Sequence, residues 1–216
     1  MLRSRAVSTL DHLLQESSFD DETFDRVQLQ GPIVDKELTG CTLRGLRGEA
    51  SVWKAVRLEE CVFEDCDLTR AQFPHTRFFG VTFRRCKLMG VDWSSVAPNP
   101  TLSFDGCDLR YVSFVKANLR KTSFRACKAN EANFIDCQLG ESDFGETDLT
   151  GANFEASDLS KANLATAKGV FFAPGKNRVK DVRISVETAV LMAMSQGMKV
   201  AGYSDASEGR SSRKRP

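Results

Sequence analysis

Seven cysteines and two histidines are the side chains of this sequence best suited to chemistry. Thiolates and imidazoles hold soft metals or attack electrophiles only where spacing brings them together. Cys41, Cys61, Cys66, Cys86, Cys107, Cys127 and Cys137 lie at multiples of five, with one shift between Cys86 and Cys107, and none forms a CxxC pair. His12 and His75 accompany no nucleophile or ligand set, and the chain carries neither GxxxxGK[ST] nor GxGxxG. No catalytic, cofactor-binding or metal-ligating residue is therefore expected, and an enzyme is not indicated. The cysteines read as compact buried thiols. Cys66, Cys86, Cys107 and Cys127 are expected to stack on one another and, in a cytoplasmic setting, to stay reduced.

Charge is patterned in blocks. Arg110, Lys116, Arg120, Lys121, Arg125 and Lys128 follow one another without an acid. Glu131, Asp136, Glu141, Asp143, Glu146, Asp148, Glu155 and Asp158 then follow without a lysine or arginine. These acids form either a solvated face or an anionic collar that matches a basic groove on a partner. In the whole chain 30 basic residues balance 29 acidic ones, which gives no bulk-charge argument for nucleic acid or membrane. Direct nucleic-acid binding is not expected. The longest apolar run, Ala189 to Met194, is far too short to span a bilayer. Asp11 and His12 interrupt any signal-peptide core, so the expected location is cytoplasmic.

The elements that position these residues follow from a period of five. Large apolar residues run Trp53, Leu58, Phe63, Leu68, Phe73, Phe78, Phe83, Leu88, Trp93, then resume one step out of phase at Phe104, Leu109, Phe114, Leu119 and Phe124. A small or compact residue sits two positions before most of them. Five helical steps of about 100° leave no continuous stripe, so a helix is excluded. Residues two apart share a face of a strand, and the remaining step of three must hold a corner. Four corners close a square coil of about twenty residues, and coils stack at about 4.8 Å. The result is a parallel β-solenoid.

Ala117-Asn118-Leu119, Ala132-Asn133-Phe134, Ala152-Asn153-Phe154 and Ala162-Asn163-Leu164 resemble the A(D/N)LXX motif of pentapeptide-repeat proteins. That resemblance implies an all-β, right-handed quadrilateral parallel β-helix, here with a short N-terminal cap and a C-terminal helix. The layout resembles the quinolone-resistance branch of the family. It implies a homodimer formed through the C-terminal segment, and a rod that imitates DNA, binds a type II topoisomerase such as DNA gyrase and protects it from poisons. About seven coils per subunit would make the dimer roughly 70 Å long. The near-neutral charge and the short 94–101 interruption depart from that branch. The alternative is a non-catalytic interaction scaffold with no topoisomerase role.

Four segments are expected: a cap over 1–18, a solenoid over 19–168 with interruptions near 45–51 and 94–103, a closing and dimerising segment over 169–202, and a disordered basic tail over 203–216. Arg5 to Gln15 suggests a helix, and Phe19, Phe24, Leu29 and Val34 a degenerate first coil. Ser95, Val96, Ala97, Pro98, Asn99 and Pro100 are candidates to touch a partner, either as a projecting loop or, preferably, as a one-residue bulge. Phe171 and Phe172 are expected to cover the last coil, and Arg178 to Ile184 to form a short strand. Ser185 is a plausible N-cap for a helix over Val186 to Gln196, and Val186, Val190, Met194, Met198 and Val200 are the expected dimer interface.

Overall fold

The computed structural model describes residues 7–203. They form a parallel β-solenoid of about eight turns closed by a short C-terminal helix. Each strand is two to four residues long, and the typical one, such as Ser18–Asp20 or Ser123–Arg125, buries only its central residue. One wall is a seven-stranded sheet running from Val7–Ser8 to Ser123–Arg125. A second wall stacks Ser18–Asp20, Glu37–Thr39, Arg57–Glu59 and Arg77–Phe79, and then stops.

The corners are made by residues in the left-handed region two positions after each large residue: Asp65 (φ 54°), Arg70 (φ 56°), His75 (φ 57°) and Arg85 (φ 50°) are examples. Such a residue turns the chain within the step of three, so the next small–large pair again points inward. Left-handed backbone is unfavourable for most side chains. Here it recurs in nearly every pentad, because the hydrogen bonds between coils leave the backbone no other path.

Inside, two opposite walls are filled by phenylalanine. Phe104 and Phe124 stack at 5.2 Å and 10°, and Phe124 and Phe144 at 4.7 Å and 6°. Across the interior the rings meet edge to face, as Phe124 and Phe134 do at 5.7 Å and 83°. Offset stacking along the axis and T-shaped contact across it are the two favourable arrangements of aromatic quadrupoles. All seven cysteines are buried and unbridged. Burial pushes the Cys137 thiol up to about 11, and contact with Cys107 and Cys66 raises that of Cys86, so these two sulfurs are held as neutral packing atoms.

Several local expectations need correction. The first coil turns its phase at Ile33, which is fully buried and pairs with Trp53, while Val34 is 36% exposed. The Gly45–Ser51 stretch is no loop: Gly48 and Ala50 keep their axial hydrogen bonds to Asp67 and Thr69 at 2.8 Å. There the usual sizes are exchanged. Leu46 fills the compact position, and a Cβ on Gly48 would sit 3.0 Å from Leu46 Cδ2. Phe172 closes the last coil against Phe154, whereas Phe171 stays half exposed. Of the expected C-terminal strand only Arg183–Ile184 forms a strand, paired with Asn163–Leu164, while Arg178 makes an isolated bridge to Asp158.

The N-terminal helix spans Leu10–Gln15, with Thr9 as N-cap and Leu13 buried. The part of the expected helix before residue 7 and the tail from 204 onward lie outside the described residues. The C-terminal helix runs Val186–Ser195, and Ser185 accepts the Thr188 N–H as its N-cap at 3.0 Å.

Candidate partner-binding surfaces

Stacked coils place residues twenty or twenty-one apart side by side, and this decides the surface charge. Arg47, Asp67, Lys87, Asp108, Lys128, Asp148 and Lys168 pair in succession along one edge, so acid and base alternate down a whole column. A second column does the same through Asp25, Arg44, Glu64, Arg84, Asp105 and Arg125. Direct ion pairs include Lys87 with Asp67 (3.1 Å), Arg44 with Glu64 (3.2 Å) and Arg85 with Glu64 and Asp65 (2.8 Å each). The Arg85 guanidinium holds both of those carboxyls below the usual carboxylate range.

The same stacking sets the acidic block above the basic one. Glu141 meets Arg120 at 3.1 Å and Lys121 at 3.9 Å, and Arg125 bridges Asp143 and Glu146 at 3.3 Å each. Glu155 pairs with Lys176 at 3.3 Å. Asp148 lies between Lys128 and Lys168, and its carboxyl is lowered by Asn130 and Thr150 with a contribution from Lys168. Asp158 stacks on Arg178, with its carboxyl lowered chiefly by Ser160. Among the described residues only Glu131 and Asp136 of the eight form neither an ion pair nor a bridge to a cation, and the register of Val115 on Ile135 sets Asp136 over Lys116. The block is a mixed-charge surface and not a collar of unopposed acids.

The Ser94–Thr101 interruption is the one-residue bulge. Phe63 pairs with Phe83, Phe83 with Phe104 and Phe104 with Phe124, steps of 20, 21 and 20 residues. The segment hugs the rod. Ala97 donates to the Thr76 carbonyl and Thr101 to that of Phe78 at 2.9 Å, and the Asn118 amide donates to Asn99 Oδ1 at 3.0 Å. Ser95, Pro98 and Asn99 are exposed, and Val96, Ala97 and Pro100 are half-buried. Beside it, Trp93 Nε1 is the one buried side-chain polar atom without a partner among the described residues. Trp53 gives its indole N–H to Ser51 Oγ at 3.0 Å, and Val91 takes the equivalent place before Trp93.

At the C-terminus the residues expected at an interface divide. Val190 is only 8% exposed within its own chain, as is Met192 at 7%, so Val190 is not free to meet a partner. Met194 and Val200 are half-buried. Val186, Leu191, Met198 and Tyr203 form the exposed apolar set, and each is more than half exposed. Leu191 and Tyr203 were not marked by the sequence pattern, because which helix face docks depends on how the helix leaves the last coil. No helix of the described residues is long and apolar enough to cross a membrane. No group of three or more metal-binding side chains occurs among them.

The comparisons with known proteins agree with this architecture. Residues 55–92 match the family model described as pentapeptide repeats (8 copies), and residues 100–168 that of the pentapeptide repeat region. Full-length QnrB1, a plasmid-mediated fluoroquinolone resistance protein, is similar in fold at a TM-score of 0.70 and 16% identity, with 86% of this chain and 93% of that chain covered. A trypsin-treated QnrB1 variant gives 0.56 and 20%, with 85% and 89% covered. No curated protein matches the sequence. Solenoid geometry, the pentad code and the two family models converge: the chain belongs to the pentapeptide-repeat proteins.

Proposed function

We propose that this protein is a non-catalytic, cytoplasmic binding rod that engages a type II topoisomerase and protects it from a fluoroquinolone-type poison. The observation that carries the reading is the end-to-end correspondence with full-length QnrB1, which covers 93% of that chain. The rod would dimerise through Val186, Leu191 and Met198, each of which is more than half exposed. Two copies of about eight turns each, at about 4.8 Å per turn, make a rod of roughly 75 Å.

Shape, and not net charge, would be the basis of recognition. Duplex DNA carries about one negative charge per 1.7 Å of axis, whereas the columns here alternate in sign. That alternation also favours a second reading, a scaffold that docks some other protein along a self-neutralised wall.

A supercoiling and cleavage assay of purified gyrase with ciprofloxacin separates the two. Rescue of supercoiling at a few-fold molar excess supports the first reading, and no rescue leaves the scaffold. Val186→Asp with Leu191→Asp should sediment as a monomer and lose rescue. Glu141→Lys with Glu146→Lys should leave rescue largely intact, since these acids already face Arg120 and Arg125.

A further inference from the structure

Where the Ser94–Thr101 bulge replaces a strand, the four-stranded wall ends at Arg77–Phe79 and leaves a local sheet edge in mid-rod. In the preceding coils, Gly40 donates its N–H to the Glu59 carbonyl and Glu60 to the Phe79 carbonyl, each at 2.8 Å. Gly80 is the next residue of that column, and among the described residues its N–H finds no acceptor. The Phe78 carbonyl faces the same gap and accepts from Thr101 at 2.9 Å. The Phe78 N–H, on the same side of the strand, is unmatched too, but Phe78 is buried, which leaves Gly80 as the donor nearer the surface. The extra residue throws the carbonyls of 98–100 out of step with the coil beneath, and two prolines there cannot join a ladder.

Beside this gap lies a groove of about 440 Å³ bounded by Arg57, Glu59, Arg77, Phe79 and Pro98. Phe79 is 59% exposed, which is unusual for a phenylalanine of this chain. Arg57 is engaged by Glu37 at 2.7 Å, whereas Arg77 forms no ion pair among the described residues. An apolar surface, an unopposed cation and a free main-chain donor at Gly80 thus lie together. Unpaired strand donors beside an apolar surface are what an extended chain recognises when it adds to a sheet edge.

We propose that this notch binds an extended peptide segment of a partner protein. An apolar side chain of that segment would cover Phe79 and Pro98, a neighbouring carboxylate would meet Arg77, and one of its carbonyls would accept from Gly80. The site does not depend on who the partner is, so it stands or falls separately from the topoisomerase reading.

The test is a ¹⁵N NMR titration of the full chain with two capped pentapeptides, Thr-Leu-Phe-Asp-Thr and Thr-Leu-Phe-Lys-Thr. The acidic probe should shift the Phe78 and Gly80 amide signals, with a dissociation constant on the order of a millimolar or below. Arg77→Glu should weaken it roughly fivefold and let the lysine probe bind in its place. Phe79→Ser should weaken whichever probe binds. Both variants should keep the wild-type melting midpoint, since both side chains are exposed. Silence at Phe78 and Gly80 up to several millimolar probe, shifts centred elsewhere, or equal binding of the two probes to wild type and Arg77→Glu would each overturn the proposal.

Discussion

Two edges of the same rod use the coil spacing in opposite ways. Along the column from Arg47 to Lys168 every coil is in step, and each charged side chain from Asp67 to Asp148 has an opposite charge above and below it. Along the wall ending at Arg77–Phe79 the step fails once, and within a few residues the surface holds an exposed Phe79, an unpaired Arg77 and the free N–H of Gly80. A regular solenoid consumes its own recognition groups. Where the repeat is broken, an apolar, a cationic and a main-chain group stay available side by side.

Four measurements break or sharpen this contrast. The largest effect should come from beneath both edges. Phe114→Ala removes a ring that is fully buried between Trp93 and Phe134, and should cost about 3–5 kcal/mol in denaturant unfolding. Phe79→Ser, one wall away, should cost no more than about 0.5 kcal/mol. Similar losses for the two would mean that Phe79 is part of the core and not of a surface notch.

A reversal inside the regular column comes next. Asp108→Lys sets three cations in succession, between Lys87 and Lys128. It should cost about 1–2 kcal/mol at low salt. Most of that loss should vanish in 1 M NaCl, where the screening length is about 3 Å. A loss that ignores salt would show that the column is not held electrostatically.

Acid should read the same column. Burial works against ionisation of Asp108, but hydrogen bonds from Arg110 hold its carboxyl below the usual aspartate range. A carboxyl depressed in the folded state stabilises the fold above its unfolded value, near 3.9, and that contribution is lost as pH falls through the folded value. Arg110→Gln should therefore lower stability at pH 6 more than at pH 2, in paired urea titrations. The smallest perturbation needs no substitution: in hydrogen exchange the Gly80 amide should exchange faster than that of Glu60, which donates to Phe79. Equal protection would close the notch.

Much of this was legible in the residues. The period of five excludes a helix by angle alone, and the Trp93-to-Phe104 step reads as a single extra residue before any coordinates exist. The departures share one cause. Ile33 rather than Val34, Leu46 exchanged for Gly48, and Val190 turned inward are all decided by what lies one coil away or where the last coil ends. The acidic run from Glu131 to Asp158 looks like a collar only while the basic run before it is left in its own place along the chain.

What the sequence by itself determined is the interior: its inward set, its cysteine column and its walls of phenylalanine and leucine, because side-chain size at a fixed period suffices to specify a narrow packed coil. What only the tertiary structure decided is the exterior. Charges twenty residues apart in the chain become neighbours about 4.8 Å apart in space, so whether a surface acid is free or answered depends on coil register, and one inserted residue at the Ser94–Thr101 corner is enough to leave Arg77 and Gly80 without partners.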